Sequence, residues 1–202
     1  METLIFATNN RHKVDEVRSV LAGRWAIISL QEAGINIDIP EPHPTLEENA
    51  REKSATIFRL TGKDCFSEDT GLEAKALNGA PGVKSARYAG EHASFEENTA
   101  KLLADLGGIS DRRAGFRTII SLYLNGHEYQ FEGSCPGTII EENRGVAGFG
   151  YDPVFVPDGD TRTFAEMNTI EKNIFSHRKK AMDQLISFLD NTINRQVGQI
   201  YP

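Results

Sequence analysis

Phe66-Ser67-Glu68-Asp69-Thr70-Gly71-Leu72 sets two carboxylates side by side behind the apolar lead-in of Cys65 and Phe66, then adds a small polar residue and a glycine. A buried strand that ends at a functional turn has this order. An acidic surface turn has it too, because loops are polar for solvation. The rest of the chain has to decide between a site at a sheet edge and a solvated loop.

Upstream, Leu4-Ile5-Phe6-Ala7 is a short apolar run of buried-strand type, Thr8-Asn9-Asn10-Arg11-His12-Lys13 is polar, and Val14, Val17, Val20 and Leu21 recur at helical spacing. Strand, turn and helix in this order aim backbone N–H groups and the positive end of the helix dipole at the turn, and Lys13 adds a mobile cation. Phosphate is the expected guest; an ordinary capped helix start is the alternative. The two glycines and the Lys-Ser/Thr pair of a Walker A loop are missing. Asn9 and Asn10 tolerate the left-handed region better than most residues, which permits a tight turn. Ile27-Ile28 and then Ile35, Ile37 and Ile39 read as strand material, and Pro40-Glu41-Pro42-His43-Pro44 breaks regular structure. Thr45-Leu46-Glu47-Glu48 then has capping-box spacing, with Leu46, Ala50, Ile57 and Phe58 as the apolar stripe. Glu48 reads equally as helix cap and as metal ligand, since Asn49 and Lys53, four apart, bring an amide and an ammonium to the same helix start.

Downstream, Asn78-Gly79-Ala80-Pro81-Gly82 is a loop by composition, and Ser94-Phe95-Glu96-Glu97 caps a helix that ends at Gly107-Gly108. Phe116 to Leu124, Asn125-Gly126, and the alternation around Tyr129 and Phe131 predict a hairpin. Ser134 to Ile140 suggests a third antiparallel segment, which favours a mixed α/β fold over a purely parallel doubly wound sheet. In Gly145-Val146-Ala147-Gly148-Phe149-Gly150-Tyr151-Asp152-Pro153, three glycines permit close backbone approach and Phe149 or Tyr151 could stack on a flat base. A glycine-rich turn with its aromatics in the core is the alternative. The last helix starts near Ser176 as its cap, which puts His177, Arg178, Lys179 and Lys180 in its first turn. Cations there oppose the helix dipole at roughly 0.3–1 kcal/mol each. A bound anion, with Lys172 joining it, would remove that conflict. Asn191 to Pro202 reads as a loosely held polar tail.

A chain of 202 residues, 39% hydrophobic, can bury a core as one domain or two small lobes, and no repeat or linker divides residues 1–202. Cys65 and Cys135 are too few for a disulfide framework, no leader pattern starts at Met1, and no apolar run spans a bilayer. A soluble cytoplasmic protein is expected, with no membrane partner. The net charge of −7, from 22 basic and 29 acidic residues, argues against a nucleic acid polymer as partner. The inventory of cationic helix starts, an acidic stretch and a glycine-aromatic loop matches a nucleoside triphosphate, with a divalent ion for the carboxylates. Two unit charges about 4 Å apart at an effective dielectric near 20 repel by roughly 4 kcal/mol, so converging acids want a cation, and magnesium is the expected one.

These residues resemble the inosine triphosphate pyrophosphatase family, which acts on non-standard purine nucleoside triphosphates (dITP/XTP pyrophosphatases). The match is carried by Phe6 to Lys13, Glu48-Asn49-Ala50, Ser67 to Leu72, Ala80-Pro81-Gly82 with Ser85 to Gly90, Gly148 to Pro153, and Ser176-His177-Arg178. The resemblance implies an elongated two-lobed α/β fold with a mixed sheet, an antiparallel portion and a central cleft. It implies a homodimer and Mg2+-dependent, house-cleaning hydrolysis of ITP, dITP and XTP to the monophosphate and pyrophosphate. By position it makes Asp69 the catalytic acid residue and a metal ligand, with Glu48 as second ligand. Thr8 to Lys13, Thr70 and Lys172 would hold phosphates and sugar, with Lys53 beside them, while Phe149, Gly150, Tyr151, Asp152, His177 and Arg178 would hold the base. This chain departs from the family pattern in having Asn9 where glycine is frequent and Glu68 where a second aspartate is. Base preference separates this reading from the related Maf-like hydrolases, and pyrophosphate release separates it from a non-hydrolysing regulator.

Overall fold

The computed structural model describes residues 3–21 and 25–200. Its sheet runs in the order β2, β1, β3, β5, β6, β7, where β1 is Thr3–Phe6, β2 Ala26–Ser29, β3 Cys65–Ala74, β5 Arg113–Leu124, β6 His127–Ile139 and β7 Phe155–Pro157. A short β4, Pro81–Gly82, pairs with β3 off this path. β1 runs parallel to β2 and β3, and the remaining pairs are antiparallel. The helices are α1 (Arg11–Leu21), α2 (Leu46–Thr61), α3 (Phe95–Asp105), α4 (Thr169–Phe175) and α5 (His177–Ile200). The expected mixed α/β fold is what forms.

The acidic stretch is neither a turn nor a strand end. It is the interior of β3, with Glu68 2% and Asp69 6% exposed. On one flank β3 pairs with β5 along its whole length, from Cys65 opposite Tyr123 to Ala74 opposite Ala114. On the other, β1 reaches only Cys65 and Phe66, and β4 only Leu72 and Glu73. Among the described residues, Ser67 to Gly71 therefore has no strand neighbour on that flank. The chain leaving β1 turns away there as Thr8-Asn9-Asn10, and the cleft opens in the gap, as ligand crevices do where neighbouring strands diverge.

A lobe of apolar side chains lies on each side. Leu4, Phe6, Val17, Phe66 and Ile120 pack under Met182, Leu185 and Leu189 of α5. Leu72, Leu102, Phe116, Phe155 and Phe164 form the other core, with α3 upon it. Each such side chain contributes about 1.5–3 kcal/mol on full burial.

The hairpin forms as expected, and Asn125 (φ 51°) and Gly126 (φ 79°) both take the positive φ of a type I′ turn. Ser134 to Ile139 is not a third segment. It continues β6, and Pro136 is accepted there because it is exposed and β7 starts its pairing only at Gly137. Ile35, Ile37 and Ile39 do not form a strand either; they pack irregularly on a small core around Ile5, Leu30 and Ile57. Asn9 and Asn10 do not use the left-handed region, since Asn78 and Asn125 are the positive-φ non-glycine residues among those described. The turn is made instead by side chains: Thr8 Oγ1 accepts the Asn10 N–H (3.1 Å) and Asn10 Oδ1 accepts the Lys13 N–H (3.2 Å). Ser176 caps α5 as expected, accepting the Lys179 N–H at 3.2 Å. The polar end is not loose through its length, because α5 continues to Ile200. Residues 201–202, and Met1 where no leader was read, lie outside the described residues. No helix among the described residues is long and apolar enough to cross a membrane.

Candidate active site

The cleft has a volume of about 270 Å³ and takes walls from both lobes. At one end Lys53, buried on α2, donates to Asp69 Oδ1 at 2.9 Å and to Glu41 Oε1 at 2.5 Å, and Arg87 reaches Glu41 Oε2 at 3.2 Å. Burial pushes the Asp69 carboxyl up, Lys53 pulls it down and Glu41 repels it, and the net direction is upward. Glu41 goes the other way: burial is outweighed by Lys53, which holds it down to about 2. Of the two acids sharing one ammonium, Asp69 is therefore the one readier to take a proton.

Glu68 points to the opposite face of β3, as adjacent strand residues do. Arg178 grips it through Nε (2.7 Å) and Nη2 (2.9 Å), and Lys13 Nζ lies 3.2 Å from Oε1. Burial alone would raise this carboxyl; Arg178 and Lys13 turn the shift strongly downward. Arg178 also donates to Glu16 of α1, and Glu16 accepts from Lys172 at 2.8 Å. Lys172 in turn donates to Asp152 Oδ2 at 2.6 Å, beside the Phe149 N–H at 3.0 Å. Gly148 makes this possible, since a Cβ there would stand 2.0 Å from Asp152 Oδ2. His177 is buried, stacks on Phe116 at 4.8 Å and shares a 2.7 Å hydrogen bond with Thr118, and burial drives its pKa well below the usual value, so it is neutral.

The clash of cations with the α5 dipole is thus settled inside the protein. Glu68 and Glu16 hold Arg178, Asp183 pairs with Lys179 at 2.5 Å, and Lys180 donates to the Ser134 carbonyl.

The structure brings Thr8, Asn9, Asn10, Lys13, Lys53, Asp69, Thr70, Phe149, Gly150, Tyr151, Asp152, Lys172, His177 and Arg178 to the one cleft. It leaves three of the expected residues off it. Arg11 lines a separate groove with Asp15 and Arg18, and His12 stacks on the Phe149 ring. Glu48 is exposed at the start of α2, where its carboxylate accepts from the Thr45 hydroxyl at 2.8 Å. Tyr151 turns its ring into the core, 4% exposed, with its hydroxyl on the Ser85 carbonyl at 2.8 Å, so Phe149 is the ring available for stacking. Sequence reasoning missed Glu41 and Glu16. Glu41 passed as punctuation between prolines; the signal for it was an acid held rigidly one turn ahead of the helix that carries Lys53. Glu16 drew no notice, since only the fold brings it to Lys172 and Arg178.

A family model described as Ham1 family matches residues 4–188. A dITP/XTP pyrophosphatase of Porphyromonas gingivalis is 50% identical over 190 residues, covering 94% of this chain and 98% of that protein. One from Flavobacterium johnsoniae is 46% identical over 189 residues, covering 94% and 98%. The solved structure of the Staphylococcus aureus Ham1 protein superposes with a TM-score of 0.85 at 37% identity, over 95% of this chain and 100% of that one. A HAM1 protein from Coxiella burnetii gives 0.86 at 37% identity, with the same coverage.

Proposed function

The chain belongs to the Ham1 family, and on that premise we propose that it hydrolyses ITP, dITP and XTP to the monophosphate and pyrophosphate, removing non-standard purines from the nucleotide pool. The observation that carries the reading is a single cleft with a carboxylate-ammonium cluster at one end and an aromatic ring among paired cations at the other. The first suits a triphosphate and the second a base.

The reading includes Mg2+. Among the described residues no cluster of three or more His, Cys, Asp or Glu side chains makes a ready metal site. Magnesium commonly takes one or two carboxylates and completes its shell with waters and phosphate oxygens, so two suffice. Asp69 and Glu41 fit, since they offer hard oxygen ligands, repel one another, and already share the Lys53 ammonium. The second ligand in this proposal is Glu41 in place of Glu48. When bound, the ion would neutralise charge on the phosphate oxygens. Asp69 orients water toward the α-phosphorus and takes its proton. Lys13 and Lys53 hold the departing pyrophosphate. Lys172 and Arg178 face the base as donors, matching the 6-keto oxygen of hypoxanthine or xanthine. Adenine presents a 6-amino donor there and leaves a buried donor unpaired, at about 1–3 kcal/mol. We read residues 1–202 as one catalytic domain, working as a cytoplasmic homodimer with no nucleic acid polymer as partner. The free, buried Cys65 and Cys135 accord with that compartment.

Hydrolysis of ITP in isotopically labelled water tests the chemistry. The label is expected in IMP, with pyrophosphate as the other product; label in pyrophosphate, or release of orthophosphate, would contradict attack at the α-phosphorus.

A further inference from the structure

We infer that His12 is a positioning residue for base recognition, backing the Phe149 ring from the α1 side so that its cleft face is held ready for stacking. The inference rests on the reading of the cleft as a nucleoside triphosphate site. It moves His12 out of the phosphate cradle, where its neighbours Thr8 and Lys13 would place it.

The His12 and Phe149 ring centroids lie 5.2 Å apart with the planes 16° from parallel. That spacing is a direct stack and leaves no room for a base between them. Phe149 lines the cleft and His12 does not, so His12 covers the face of Phe149 turned away from it. Lys172 Nζ and Arg178 Cζ, both on the cleft wall, lie 5.3 and 5.7 Å from the Phe149 ring centroid. Phe95 closes the group, 6.3 Å from His12 edge-on and 5.9 Å from Phe149.

The three rings come from three places. His12 is in the first turn of α1, whose Val14 and Val17 sit in the α5 core, while Phe95 opens α3, whose Leu102 sits in the other core. Phe149 stands between Gly148 and Gly150, both at positive φ, in a partly exposed loop. A ring on such a segment is oriented by what packs against it, and pre-orientation is what a stacking site gains affinity from. No hydrogen bond or ion pair engages the His12 ring nitrogens among the described residues, whereas Lys13 is tied to Glu68 and Thr8 and Asn10 shape the turn. What His12 contributes is therefore an aromatic face.

The test compares wild type, His12→Ala and His12→Phe by initial rates with ITP and by inhibition with inorganic tripolyphosphate, a probe without a base. His12→Ala is expected to raise KM for ITP about 3- to 10-fold, the range of one lost aromatic pair, with kcat changed far less. Inhibition by tripolyphosphate should be unaltered, and His12→Phe should restore KM. An unchanged KM in His12→Ala would overturn the inference. So would weakened tripolyphosphate inhibition that His12→Phe fails to rescue, because that is the behaviour of a phosphate ligand. A wild-type protein that does not turn over ITP would overturn the functional reading itself, and this inference with it.

Discussion

Two adjacent acids on one strand do different work because a strand sends them to opposite faces. Asp69 meets Lys53 and Glu41 at the cleft wall, while Glu68 is gripped by Arg178 and Lys13. Asp69→Asn keeps the shape of the side chain and its contact with Lys53 but cannot take a proton. It is expected to lower kcat for ITP by about 10²- to 10⁴-fold while the circular dichroism spectrum is unchanged. Near-normal turnover in a folded Asp69→Asn protein would remove Asp69 from the chemistry. Glu68→Gln leaves the buried Arg178 guanidinium without its bidentate partner, and a loss of about 3–5 kcal/mol in urea unfolding is expected. Asp69 was legible in the sequence because an acid flanked by Ser67, Thr70 and Gly71 stands out. Glu41 was not, because its meaning depends on a lysine twelve residues later that only the fold brings to it.

At the level of elements, local rules decided most of what could be read. Asn125-Gly126 carries its own turn type, and Ser94 with Glu97 its own capping box, so both elements are where residue chemistry puts them. β3 was misread at its middle because paired carboxylates and a glycine look like a surface turn unless their buried partners are known. Ser134 to Ile140 similarly reads as a segment of its own, and only the late start of β7 explains how Pro136 is accepted inside β6. Gly71 is where β3 and β4 touch, since a Cβ there would stand 2.7 Å from the Gly82 carbonyl oxygen. Gly71→Ala should push β4 outward and, with it, the Val83 and Ser85 wall of the cleft, raising KM for ITP in steady-state assays. Gly148→Ala strikes the base end instead, at φ 75° and 2.0 Å from Asp152 Oδ2, and should break the Asp152–Lys172 pair. Its KM for ITP should rise while tripolyphosphate inhibition is kept, so loss of both together would contradict the division of the cleft into two ends.

Across the whole molecule the buried charges link stability to pH, and their signs differ. Burial, reinforced by Arg178 and Lys172, depresses the His177 pKa, so the unfolded chain binds the extra proton, and stability from this group is lost as pH falls below about 6.5. Glu16 and Glu68 are buried but held down chiefly by Arg178, so their contribution is full above about 4.5 and lost as pH falls through their lowered folded values. Asp69 and Asp152 are raised, chiefly by burial, and act in the opposite sense: they favour the folded state most below about 3.8 and lose that as pH rises through their folded values. Thermal unfolding should therefore show stability falling between neutral pH and about pH 5 through His177, then falling further in acid, with the two aspartates offsetting part of the loss. Stability that rises on acidification to pH 5 would contradict a neutral His177 among cations. On the proposed function, this cleft separates purines by their 6-position and cuts between the α- and β-phosphates. Initial rates of pyrophosphate release, with Mg2+, across ITP, dITP, XTP, GTP and ATP test it most directly. Efficient turnover of the first three is expected, with ATP rejected by at least about tenfold, the effect of one unpaired buried donor; ATP turned over as fast as ITP, or no pyrophosphate from any of them, would contradict this assignment.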